Sequence, residues 1–203
     1  MLDDLMKTQK IGQKCYNTVG LLSIAAFTIG CVLAIAVNLL HAEEKMSFTL
    51  TSDAFVNGGE ISMKYTCEGK DISPQLEWEG VPEGARSLVL IVDDPDAPDP
   101  EAPKMTWVHW VLYNIPPDAT GLAEGVVSTS LPPGTEQGAN DWGRTGYGGP
   151  CPPIGRHRYF HKLYALDTVL KGLNKPTKQQ VEAAMKGCII AVTELVGTYE
   201  KSR

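Results

Sequence analysis

The chain has 203 residues, 43% of them hydrophobic and 21% charged, a globular rather than a disordered composition. Its length supports one domain once an N-terminal segment is set aside. With 24 acidic against 18 basic side chains, a net charge of −6, it lacks the basic footprint of a nucleic-acid partner and has little to draw it broadly onto anionic lipid.

Residues 1–45 form the first segment. Lys7, Lys10 and Lys14 precede an uncharged stretch from Val19 to Leu40. As a helix those 22 residues span about 33 Å, enough for a hydrocarbon core of ~30 Å. Glu43, Glu44 and Lys45 follow, so the positive-inside rule keeps the N-terminus in the cytoplasm and sends residues 46–203 out. Leu40-His41-Ala42 also reads as a small-residue cleavage site. The apolar stretch is longer than the usual ~7–15 residues of a signal, which favours a retained inner-membrane anchor over a cleaved signal. Either reading puts the domain in the periplasm, whereas translation from Met46 would give a cytoplasmic form.

Within residues 46–203 the predicted strands are Phe48–Ser52, Glu60–Tyr65, Gln75–Trp78, Ser87–Asp93, Trp107–Asn114 and Tyr159–Leu166. The run Leu88-Val89-Leu90-Ile91-Val92 is apolar throughout, the mark of a strand covered on both faces. It leads into Asp94-Pro95-Asp96-Ala97-Pro98, which neither a helix nor a regular strand accommodates. The strand from Trp107 carries His109. From Pro116 to Gly149 the chain is glycine-rich and aperiodic, an extended loop of the kind that usually serves function. A second rigid loop follows, Gly148-Gly149-Pro150-Cys151-Pro152-Pro153-Ile154-Gly155-Arg156-His157-Arg158-Tyr159. Thr177 and Gln180 make a capping box that opens a helix, with Val181, Ala184, Met185, Cys188 and Ile189 at helical spacing. Gly187 breaks or bends it, and Ile189 to Tyr199 is predicted as a second helical stretch. Cys188 reads as a small buried residue of this pattern. The residues thus give a β-rich core with C-terminal helices.

Taken singly, the polar residues are unremarkable. Asp-Pro-Asp-Ala-Pro is an ordinary turn sequence, and one histidine on an apolar strand is more often a core residue than a ligand. His157 and His161 lie four apart, but in an extended strand they are too far separated to share one metal ion. Cys151 beside histidines is the best nucleophile on offer, yet no nucleophile elbow, phosphate loop or dinucleotide fingerprint accompanies it. Together, two Asp, two His and a Tyr on three elements suit a pocket that takes an anion through imidazole and backbone donors.

That combination, in that order, resembles the phosphatidylethanolamine-binding protein family, in its bacterial Raf kinase inhibitor-like branch. The resemblance extends over Tyr65-Thr66-Cys67-Glu68-Gly69-Lys70-Asp71-Ile72-Ser73-Pro74, Leu76-Glu77-Trp78, Gly80-Val81-Pro82 and Asn140-Asp141-Trp142-Gly143. It implies a mostly β fold, an antiparallel Greek-key β-sandwich with C-terminal helices at one side. It also implies a non-enzymatic pocket for phosphate, acetate or a phospholipid head group, lined by Asp94, Asp96, His109, Gly149, His157 and Tyr159, without metal or cofactor. By that likeness Cys67 and Cys151 are brought towards the pocket, where they would pair if the domain is exported. Some eukaryotic members close the pocket with a C-terminal tyrosine, and Tyr199 is the tyrosine near the end here.

In such a pocket His109, His157, the Tyr159 hydroxyl and the glycine-loop amides are the expected donors. Asp94 is expected to hold an imidazole and raise its pKa, and Asp96 to meet a ligand's ammonium group or cap its own loop. The other functions kept in view are a kinase- or protease-inhibiting interaction protein and a phosphoester hydrolase. A homodimer is expected from the same likeness.

Overall fold

The structure is a computed structural model that describes residues 47–202. The predicted membrane segment, Val19 to Leu40, lies outside them, and among the described residues no helix is long and apolar enough to cross a membrane. Two antiparallel sheets make up the domain. Strands β1 (Thr49–Thr51), β2 (Leu76–Glu79) and β5 (Gly121–Leu122) form the smaller, in the order β1-β2-β5. The larger runs β6-β4-β3-β7-β8 and is built from β3 (Ser87–Asp94), β4 (Trp107–Ile115), β6 (Glu136–Gln137), β7 (Arg156–Leu166) and β8 (Ile189–Glu200).

Alternation along β3 explains its unbroken apolar run. Leu88, Leu90 and Val92 join Trp110, Leu112, Leu163 and, from the smaller sheet, Leu50, Leu76, Trp78 and Leu122 in the core between the sheets. Val89 and Ile91 face the other way, against Val111, Tyr113, Val181 and Met185. Helix α1 (Lys178–Met185) therefore covers the outer face of the larger sheet through Val181 and Met185. Its predicted capping box is present: Gln180 N donates to Thr177 Oγ1 at 3.3 Å and Thr177 N donates to Gln180 Oε1 at 2.9 Å.

Three expectations need correction. There is one C-terminal helix, not two, because Gly187 at φ +82° turns the chain and the remainder becomes β8. The run Ile189-Ile190-Ala191-Val192-Thr193, β-branched but for Ala191, suits a strand, and pairing with β7 from Arg156↔Glu200 to Leu166↔Ile189 overrides the helical spacing. Cys188 accordingly sits after the helix, half-buried, with a free thiol. Finally, Glu60–Tyr65 is not a strand: only Glu60 bridges Thr198, and Met63–Tyr65 is a 3₁₀ turn capped by Ser62.

Candidate anion-binding cavity

At the end of β3 successive side chains part to opposite faces. Asp93 is fully buried and bonded to Lys162 Nζ at 2.9 Å and to Lys178 Nζ at 2.5 Å, tying β3 to β7 and α1. Asp94 faces the other way. Its Oδ1 accepts the Asp96 amide at 2.8 Å, an Asx turn that starts the loop, and its Oδ2 meets His157 Nδ1 at 2.7 Å. The other ring nitrogen, His157 Nε2, is 3.0 Å from the Ile154 carbonyl.

The second loop is pinned down from several sides. Cys67 and Cys151 form the disulfide that the family likeness implied. The Gly149 amide donates to Asp71 Oδ1 at 2.6 Å, Cys67 N to the Pro150 carbonyl at 3.1 Å, and Tyr147 OH to the Tyr65 carbonyl at 3.0 Å. Gly148 is held against β4 twice, its amide donating to the His109 carbonyl at 3.1 Å and its carbonyl accepting from His109 Nδ1 at 2.7 Å.

Asn140 shapes the segment before that loop. Its Oδ1 accepts from the amides of Trp142 and Arg144, and its Nδ2 donates to the Gly146 carbonyl at 3.0 Å. Asp141 pairs with the backbone of Val108 in both directions. The result places Trp142 edge-on to both Trp107, at 5.4 Å between centroids, and His109, at 5.2 Å.

A cavity of about 330 Å³ opens between these elements. Asp94, His109 and His157 are its polar wall. Ala97, Pro98, Met105, Trp107, Trp142 and the Cys151–Pro153 stretch make the rest of it apolar. An apolar cavity with a few converging polar groups is the usual form of a small-ligand site.

His109 is buried, and its Nε2 has no hydrogen-bond partner. Burial pushes its pKa below the ordinary histidine value, against the opposing pull of the Gly148 carbonyl and of Asp94, Asp93 and Asp141.

Three of the six predicted positions form the wall, and the other three stand behind it. Asp96 neither faces a ligand nor caps the loop. It is taken up by Arg158, whose amide and Nε both donate to Oδ2 at 2.9 Å and whose Nη2 donates to Oδ1 at 2.7 Å. Those bonds hold its carboxyl below the usual carboxylate range. Gly149 offers no amide, since Asp71 has it. Its requirement is space, because a Cβ there would lie 2.3 Å from the Tyr65 carbonyl oxygen.

Tyr159 packs edge-on against His109 at 5.2 Å with its hydroxyl buried and unpartnered. Tyr199 lies opposite His157 on β8 and donates its hydroxyl to Glu68, so it is a core residue rather than a lid. Sequence reasoning missed Trp142, Trp107 and Met105 as wall residues, and Arg158 and Asp71 as the partners that fix the loops. The Asn-Asp-Trp-Gly segment was the available signal for Trp142.

The model of the phosphatidylethanolamine-binding protein family matches residues 51–200. The chain belongs to the phosphatidylethanolamine-binding protein family. A UPF0098 protein from Methanothermobacter thermautotrophicus is 51% identical over 75% of this chain and 98% of its own length. Among solved structures of the family, a homologue from Chlamydia trachomatis is 47% identical with a TM-score of 0.70, covering 77% of this chain and 99% of that one. YbcL of E. coli, described as a member of the mammalian family, is 34% identical with the same TM-score of 0.70, covering 77% of this chain and all of its own. A carboxypeptidase Y inhibitor, at 15% identity and a TM-score of 0.51, shares the fold.

Proposed function

We propose that this member of the family is a binding protein, without catalytic turnover, whose cavity takes a small anion: phosphate, or the phosphate of a phospholipid head group. The observation that carries this reading is His109 Nε2, a buried polar atom on the cavity wall left without a partner, since such atoms are uncommon and costly unless a ligand or water completes them. Binding rather than turnover is favoured by His157 and Asp94. This acid–base pair is bonded internally and to the Ile154 carbonyl, which holds it as framework. The disulfide suits an oxidising compartment, in keeping with a domain held outside the cytoplasmic membrane by the N-terminal segment or released from it.

Thermal unfolding of the purified full-length chain with and without phosphate and phosphorylethanolamine tests this reading. A ligand at a hundredfold excess over its Kd stabilises the folded state by about 2.7 kcal/mol, and the expected result is a rise in Tm that His109→Ala abolishes. An equal rise in the variant, or none in either protein, sinks the reading.

A further inference from the structure

Around His109, Asp94 and His157 the cavity wall is short of protons rather than of acceptors. His109 Nδ1 faces the Gly148 carbonyl, an oxygen that only accepts, so the single proton of the neutral ring sits on Nδ1 and Nε2 presents a lone pair. His157 adds no free donor, because Asp94 Oδ2 and the Ile154 carbonyl occupy both nitrogens. The amides of Asp96, Gly148 and Gly149 are committed to Asp94, the His109 carbonyl and Asp71. Pro98, Pro152 and Pro153 have none to give. Tyr159, behind His109, has a hydroxyl that burial keeps protonated, good for one bond. An anion that arrived as bare oxygens would set its lone pairs against that of Nε2.

Resting on the anion-binding reading above, we infer that the anion enters together with one proton, held between a ligand oxygen and His109 Nε2. The ligand chemistry is a phosphate oxyanion bound with its proton, and the site is a proton-coupled one. Asp93 and Asp94 from β3, Asp141 from the loop, and His157, Tyr159 and His161 from β7 surround the ring. The carboxylates favour a proton at Nε2, while the apolar surroundings keep it off until an anion arrives to share it.

Calorimetry of the full-length chain with dimethyl phosphate, a diester that brings no proton of its own, at about pH 8 in buffers of different ionisation enthalpy, counts that proton. The expected result is one proton taken up per diester bound, with affinity falling about tenfold per pH unit above neutrality. In His109→Gln the amide supplies a permanent donor near the position of Nε2. The diester should still bind there, with no proton uptake and a flat pH profile, an outcome that mere structural support by His109 does not produce.

Dimethyl phosphate binding without proton uptake in the native chain overturns the inference and leaves the anion-binding reading standing. No phosphate binding between about pH 5 and 8 overturns both. A parallel arm uses phosphatidylcholine vesicles with and without phosphatidylethanolamine. Cosedimentation that needs phosphatidylethanolamine and weakens with pH alongside phosphate affinity assigns the proton-coupled site to a lipid head group, and phosphate binding without cosedimentation assigns it to the soluble anion.

Discussion

Removing the Cys67–Cys151 bridge, by reductant or by the double change Cys67→Ala and Cys151→Ala, lowers the unfolding free energy by about 2–5 kcal/mol. The bond spans 84 residues, and the entropy of closing a loop of that length is about 4.5 kcal/mol in the chain model. It acts at the site as well as on the fold, since Cys151 lies in the cavity wall and the bridge holds the glycine-rich loop to the Tyr65–Asp71 segment. Denaturant unfolding of oxidised and reduced protein measures the loss. An unchanged midpoint would show that the hydrogen bonds of Gly149, Cys67 and Tyr147 hold the loop unaided.

Asp94→Ala costs about 2–4 kcal/mol, because it strips the acceptor from two donors in a closed site, His157 Nδ1 and the Asp96 amide. Asp94→Asn should cost clearly less. Its Oδ1 still accepts the Asp96 amide, and its Nδ2 can donate to a His157 ring protonated only at Nε2, which keeps the bond to the Ile154 carbonyl. Equal losses in the two variants, read from equilibrium unfolding, would contradict this account of Asp94 as the acceptor that sets the loop.

What could be read in the sequence was what depends on neighbours along the chain. The apolar run of β3 announced a strand covered twice because each alternate residue meets its own layer, and Thr177 and Gln180 announced the helix start because a capping box closes within one turn. Strand β8 was misread since Val181, Ala184, Met185, Cys188 and Ile189 keep helical spacing across Gly187. Only the long register with β7, invisible in a local pattern, decides for a strand. The site divides in the same way. Family order located Asp94, His109 and His157 in one wall. The roles of Asp96 and Gly149 are set by Arg158 and Asp71, 62 and 78 residues away, and no local reading finds such partners.

The most direct test of the central claim is a crystal structure of the protein grown in phosphate. The account predicts a tetrahedral anion in the cavity bounded by Asp94, His109 and His157, with one oxygen within hydrogen-bond reach of His109 Nε2. Phosphate bound elsewhere, with this cavity holding only water, would contradict it.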